Sequence, residues 1–179
     1  LIKMNISIAE INRIIPKLVS PVGRMDKIVY KNNLIVVDYA HTLDAMENIV
    51  STVSEIKHNN IYIVFGCTGD RDRTKRPIMT KLVTDLCDKA IITCDDVHNE
   101  DPNQIVDDML EGLKNTNYEI ELDRKKAIIK GIKMLDTNDC LLVLGKGHEE
   151  VMIVKDNKKI PFNDKKTVLS YLETKKMVR

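Results

Sequence analysis

The sequence predicts an α/β domain of three layers: a mostly parallel sheet, helices on both of its faces, and hairpins flanking the core. Short runs rich in Ile, Val and Leu alternate with longer amphipathic stretches along most of the 179 residues. The runs are too short for helices, and strand–helix alternation is the pattern of parallel strands joined by crossover helices. The runs are also apolar enough to be strands covered on both sides.

Taken in order, Leu1 to Ser20 sets Ile6, Ile8, Ile11, Ile14, Ile15 and Leu18 at helical spacing. It lacks the basic start and continuous apolar stretch of a secretory signal, so it reads as a helical lead-in. Opening at Leu1 without an initiator Met, the chain reads as a fragment. Lys27 to Tyr30 returns through Lys31-Asn32-Asn33 into a strand from Leu34 to Asp38, a reversal suited to Asn, which tolerates positive φ. Leu43, Met46, Ile49, Val50, Val53 and Ile56 then repeat at three and four, as one face of a helix does. A strand from Ile61 to Gly66 leads to a helix that Pro77 is placed to open, with Met79, Leu82 and Leu86 on its apolar side. Ala90 to Cys94 is the next strand. Asp101-Pro102 with Gln104 then offers an N-cap acceptor, a first-position proline and a capping-box partner for a helix carrying Ile105, Val106, Met109, Leu110 and Leu113. A weaker strand, Tyr118 to Leu122, precedes a helix with Ala127, Ile128, Gly131, Ile132 and Leu135 inward. Cys140 to Leu144 is the last central strand. Val151 to Val154 turns at Lys155 to Lys158 into Lys159 to Phe162, and a terminal helix turns Val168, Leu169 and Leu172 inward, with Lys165, Lys166, Lys175, Lys176 and Arg179 on its wet face. The sum is a Rossmann-like fold in one compact unit, without repeats, low-complexity tracts or Gly/Ser linkers.

Composition narrows the function. The chain is 43% hydrophobic and 31% charged, with 28 Lys+Arg against 27 Asp+Glu and a net charge of +1. No run approaches the roughly 20 apolar residues of a membrane span. A balanced charge gives no global field for a polyanion, and 4% aromatic residues with no Trp argue against a base-stacking platform. The expectation is a soluble cytoplasmic protein that binds neither nucleic acid nor membrane. Cys67, Cys87, Cys94 and Cys140 form no CxxC pair and read as reduced core thiols.

In open α/β sheets chemistry gathers beyond the carboxyl ends of the strands. Four such ends carry polar clusters here. The first is Asp38-Tyr39-Ala40-His41-Thr42, a carboxylate and an imidazole facing a cleft, unless Thr42 merely caps a helix and His41 is structural. The second, Gly66-Cys67-Thr68-Gly69-Asp70-Arg71-Asp72-Arg73-Thr74-Lys75-Arg76-Pro77, combines glycines that let backbone N–H groups approach an anion with four cations suited to phosphate or carboxylate. It has neither the GxxxxGK[ST] spacing of a phosphate loop nor GxGxxG. The third, Thr93 to Pro102, is acidic with one imidazole and suits a cationic amine. The fourth is Gly145-Lys146-Gly147-His148-Glu149-Glu150. His41, His58, His98 and His148 lack zinc-ligand spacing, so no metal site is expected within the chain; His58 reads as a solvated residue near a helix end.

These segments resemble the C-terminal domain of the Mur ligases of the MurE type. The resemblance rests on GRM at Gly23 to Met25, DYAHTLDA at Asp38 to Ala45, FGCTGDRDRTKRP at Phe65 to Pro77, EDP at Glu100 to Pro102, DR at Asp123-Arg124 and GKGHE at Gly145 to Glu149. It implies residues 1–21 as the tail of a central ATP-binding domain and 22–179 as the C-terminal, amino-acid-binding domain. It implies ATP and Mg²⁺, bound mainly through the absent central domain, and, as substrates, UDP-MurNAc-L-Ala-D-Glu and an amino acid joined through an acyl phosphate in peptidoglycan precursor synthesis. A chain without the other domains should be inactive alone. By residue, the resemblance implies that Arg24 and Tyr39 contact the nucleotide, that Asp38 and His41 face the reacting centre, and that Arg71 holds the amino acid's carboxylate. Arg73 stands where many relatives carry Lys. Asp95, Asp96 and His98 belong to the selectivity loop, and Gly145 and Glu149 take the side-chain amine. Diaminopimelate-adding relatives read Asp-Asn-Pro-Arg in that loop, and this chain reads Asp95-Asp96-Val97-His98. Loss of the arginine and gain of an acid favour L-lysine over meso-diaminopimelate. The rival readings are a cyanophycin-synthetase-like or folylpolyglutamate-synthase-like ligase and a non-catalytic anion-binding α/β module.

Overall fold

The computed structural model describes residues 7–14, 21, 23–56 and 58–176. The apolar runs form β1 (Asp26–Tyr30), β2 (Asn33–Asp38), β3 (Ile61–Phe65), β4 (Lys89–Ile92), β5 (Tyr118–Ile120) and β6 (Cys140–Leu144), with a separate hairpin of β7 (Val151–Val154) and β8 (Lys158–Pro161). The helices are α1 (Ile8–Ile14), α2 (Leu43–Ser54), α3 (Lys75–Leu86), α4 (Pro102–Leu110), α5 (Arg124–Met134) and α6 (Asp164–Lys176). The large sheet has the order β1-β2-β6-β3-β4-β5. Only its edge strand β1 runs antiparallel, paired with β2 across the tight Lys31-Asn32 turn. The β6 strand lies parallel between β2 and β3, and all five of its residues are fully buried. That burial from both faces explains why the run Cys140 to Leu144 is apolar without alternation.

The period-two alternation of side chains divides the core into two layers. Val36, Ile63, Phe65, Leu142 and Leu144 face Met46, Ile49, Val50 and Val53 of α2, Met79 and Val83 of α3, and Ile105, Val106 and Met109 of α4. Their neighbours Ile35, Val37, Val64, Ile91, Leu141 and Val143 turn the other way, onto Ala127, Ile128 and Ile132 of α5 and Val168 and Leu172 of α6. The predicted three-layer α/β fold is the one formed.

Several local expectations are corrected. The α3 helix starts at Lys75, so Pro77 sits inside its first turn, where an N–H has no intrahelical partner to lose. Asp101 caps α4 by accepting from the Asn103 N–H at 2.7 Å, but the Gln104 amide turns to Asp108 (2.8 Å) and no capping box closes. Leu169 is exposed while Val168 and Leu172 face inward. His58 is half-buried rather than solvated: its Nε2 is sealed without a hydrogen-bond partner among the described residues, and burial lowers its pKa. Of the lead-in, Ile6, Ile15 and Leu18 lie outside the described residues, and Ile8 is exposed. The four cysteines are free, and burial pushes the thiols of Cys67, Cys87 and Cys140 to about 12, which keeps them unreactive. Among the described residues no helix is long and apolar enough to cross a membrane.

Candidate active site

The loops leaving the carboxyl ends of β2, β3, β4 and β6 surround a cavity of about 800 Å³. It is lined by Tyr39, His41, Arg71, Asp95, Asp96, His98, Gly145 and Glu149 of the predicted site residues; Arg24, Asp38 and Arg73 lie outside the lining.

At the β2 corner, Asp38 is nearly buried, and its two oxygens accept the N–H groups of Met25 and Ala40, each at 2.7 Å. Its carboxylate therefore splints the Gly23 to Met25 loop to the strand exit rather than standing open to a ligand. The Tyr39 N–H donates to the Gly23 carbonyl at 3.0 Å. Gly147, at φ 52°, packs so closely here that a Cβ would meet the Gly23 oxygen at 2.6 Å. Three of the motif segments are thereby locked into one corner. What they present is a platform: the Arg24 guanidinium lies 5.3 Å from the Tyr39 ring centre, and the rings of His41 and His148 lie 4.6 and 5.1 Å from it. The His41 Nδ1 is 2.8 Å from the Tyr39 carbonyl, an acceptor, so Nδ1 carries the proton and Nε2 is the ring's free nitrogen.

The cationic loop after β3 divides its charges. Arg76 is buried and donates to Glu100 (2.8 and 2.9 Å), Asp108 (2.7 Å) and the Thr68 carbonyl (3.2 Å). Arg73 reaches the same two carboxylates, Glu100 at 2.8 Å and Asp108 at 3.9 Å. These two arginines bind α3 to α4. Lys75 lies 3.9 Å from Asp72. Arg71 is exposed, lines the cavity and has no ionic partner among the described residues.

Hydrogen bonds from Arg76 pull the Glu100 carboxyl down to about 2 against the opposing effect of its burial. The folded value lies below the unfolded one, so this stabilisation is complete above about pH 4.5 and fades as pH falls toward 2. Replacing Glu100 with Gln should lower stability by about 1.5 to 3 kcal/mol at neutral pH, the usual worth of a hydrogen bond to a charged group. Urea unfolding of both proteins checks this: the gap should close in strong acid, and a gap unchanged there would mean that charge is not its source.

The acidic wall holds its own cation. Lys146 is fully buried, with Nζ 2.6 Å from Glu149, 2.8 Å from Asp96 and 3.5 Å from Asp95. Burial works to lower the Lys146 pKa, but the three carboxylates outweigh it and the net shift is upward. Asp95 is raised because burial exceeds the pull of Arg124 and Lys146. Oxygens of Asp95, Asp96 and Glu149 lie within 4.8 Å of one another, a spacing that could suit a metal. The ammonium of Lys146 already sits among them, so this set does not fit a metal ion. Behind it, Arg124 and Asp164 form a fully buried bidentate pair at 2.8 and 2.7 Å, and Arg124 also donates to the Leu144 carbonyl at 2.8 Å.

Sequence reading missed the structural weight of Lys146, Arg76, Arg124, Asp164 and Asn157. The signal available for Lys146 was its place between two glycines, which bring backbone too close for solvent to surround a side chain.

The family model of the Mur ligase, glutamate ligase domain, matches residues 23–147. A UDP-N-acetylmuramoyl-L-alanyl-D-glutamate--2,6-diaminopimelate ligase of Clostridium botulinum is 44% identical over 149 residues, covering 82% of this chain and 31% of the relative. The ligase of that name from Fusobacterium nucleatum is 41% identical over 180 residues, 99% of this chain and 37% of its own length. A solved structure of a ligase of that name superposes with a TM-score of 0.83 at 34% identity, over 97% of this chain and 36% of that one. The UDP-N-acetylmuramate-alanine ligase of Thermotoga maritima shares the fold at a TM-score of 0.65 and 17% identity, over 99% of this chain and 35% of that one. The chain spans about a third of the length of these relatives. With the family model matched across the loops that build the cavity, the chain belongs to the Mur ligase family, as its glutamate ligase domain.

Proposed function

We propose that residues 22–179 are the amino-acid-binding domain of a cytoplasmic, ATP-dependent ligase that adds the third residue to UDP-MurNAc-L-Ala-D-Glu. ATP phosphorylates the peptide's terminal carboxylate, the incoming α-amine attacks the acyl phosphate, and an amide forms as phosphate leaves. The observation that carries this reading is one cavity whose lining holds both Arg71, which has no ionic partner among the described residues, and the acids Asp95, Asp96 and Glu149, groups suited to the two ends of a diamino acid. Arg71 takes the α-carboxylate. Glu149, whose side chain is 31% exposed, offers its remaining oxygen to the distal amine. The Arg24, Tyr39 and His41 platform receives the nucleotide, with cation–π and ring-face contacts suited to a base or ribose. Mg²⁺, when bound, would be held by the ATP phosphates and would neutralise their charge; the acid cluster, already filled by the Lys146 ammonium, does not fit it. The remaining domains, about two thirds of the relatives' length, supply the phosphate loop that this chain lacks.

The amino acid is a diamino acid, with L-lysine favoured while His98 is neutral. An uncharged imidazole gives a distal carboxylate nothing to match the bidentate grip of an arginine. Asp96 adds less than its charge promises, because Lys146 and the Ile153 N–H (2.7 Å) share its Oδ1. The test is a chimera in which this chain replaces the matching third of the Fusobacterium ligase, assayed with lysine and diaminopimelate in competition. Ligation of either supports the assignment; preference for diaminopimelate at alkaline pH defeats the lysine reading, and ligation of neither defeats the function.

A further inference from the structure

A chain of three polar contacts runs outward from the cavity at His98. The His98 Nδ1 lies 2.8 Å from Asn157 Oδ1, in the turn between β7 and β8. Asn157 Nδ2 donates to Asn99 Oδ1 at 3.1 Å, and Asn99 Nδ2 donates to the Asp70 carboxylate at 2.8 Å. Four of the residues that make or flank these contacts, Asp70, His98, Asp156 and Asn157, hold left-handed backbone conformations, with φ between 53° and 61°. The same hairpin grips the loop by its backbone, through Val97 N–H to the Ile153 carbonyl at 2.9 Å.

The order of donors along this chain is determined from its far end. An ionised Asp70 only accepts, so Asn99 must present its amide nitrogen there and its oxygen to Asn157. Asn157 must then donate to Asn99 and turn its own oxygen to His98. An oxygen facing Nδ1 requires a proton on Nδ1. We infer that Asp70, Asn99 and Asn157 are positioning residues that fix the His98 tautomer, leaving Nε2 to face the amino-acid ligand. This rests on the reading of the cavity as a diamino-acid site.

The chemistry follows from the state of Nε2. In the neutral ring it is a lone pair, which repels a distal carboxylate and leaves the distal ammonium, common to both ligands, to Glu149. After protonation it is a charged donor, matched to a distal carboxylate. One residue thus serves lysine-like ligands in one state and diaminopimelate-like ligands in the other, and the relay guarantees that proton gain and loss occur at the ligand side. The charged groups on the segments around the ring include Asp95, Asp96, Glu100 and Asp101 of its own loop, Asp70, Arg71 and Asp72 after β3, Lys155 and Asp156 of the hairpin turn, and Lys146 and Glu149 of the acid wall.

Two measurements decide the matter. Imidazole ¹³C and ¹⁵N shifts of His98 in the 179-residue chain, assigned through His98→Gln, should show the Nδ1–H tautomer when the ring is neutral. Asn157→Gly, which keeps the left-handed backbone without strain, should let the ring revert toward Nε2–H. Asn157→Asp, which still offers an oxygen to the ring, should keep Nδ1–H. A neutral wild-type ring in the Nε2–H form overturns the inference. In the chimera, the ratio of kcat/KM for lysine to that for diaminopimelate should rise about tenfold or more as the ring loses its proton, the scale of a hydrogen bond to a charged group. The rise should be blunted in Asn157→Gly and retained in Asn157→Asp. A ratio that ignores the titration overturns the selectivity part. Failure of the chimera to use either amino acid would count against the proposed function alone, since the tautomer is read independently.

Discussion

Replacing Arg124 with Met is expected to destabilise the domain by about 3 to 5 kcal/mol, because it strands the fully buried carboxylate of Asp164 without its partner. The loss is a large share of a typical domain stability of about 5 to 15 kcal/mol, so a sharply lowered midpoint in chemical denaturation is the readout. The two residues come from α5 and α6, which meet on the same face of the sheet. Removing both charges together, as Arg124→Met with Asp164→Leu, should recover most of the loss, since apolar packing replaces a buried ion pair at little net cost. A double variant as unstable as the single one would show that the pair's shape, not its charge, is what the core requires.

Arg71→Ala should act on function and leave stability nearly unchanged. Arg71 is exposed and unpaired among the described residues, so its removal disturbs no packing. In the chimera it should lower kcat/KM for the amino acid by about 2 to 5 kcal/mol of lost interaction, roughly thirty-fold to several-thousand-fold, mostly through KM. Arg71→Lys should recover only part of this, because an ammonium does not reproduce the planar fork. Arg73→Ala should do the reverse, loosening the α3–α4 contact with little change in KM. Activity within twofold of the unmodified chimera would remove Arg71 from the site.

Strands, helices and the layer arrangement were legible because period and apolar runs report burial directly. The motif loops were legible because polar clusters at strand ends are unusual. Sequence alone could not say how each polar group is used. Asp38 reads as a catalytic carboxylate and serves two backbone N–H groups. Arg73 and Arg76 read as anion binders and bind α3 to α4. Lys146 stands in a motif loop with no role that spacing assigns to it, and is sealed beneath the acids. In each case the deciding contact is with a segment distant in sequence: Asp38 with Met25, Arg76 with Glu100, Lys146 with Asp96. Local spacing carries no trace of such pairings. The insertion of β6 between β2 and β3 escaped sequence reading for the same reason.

That insertion governs how the domain can be made. Leu34 of β2 pairs with Cys140, more than a hundred positions later, and the site's two central strands have no common neighbour until β6 arrives. While the chain is being synthesised, β2 and β3 each wait with a bare edge, the kind of surface that recruits other chains. A truncation between Ile120 and Cys140 therefore removes the middle of the sheet rather than its end, and leaves two half-sheets prone to aggregation instead of a shorter folded domain.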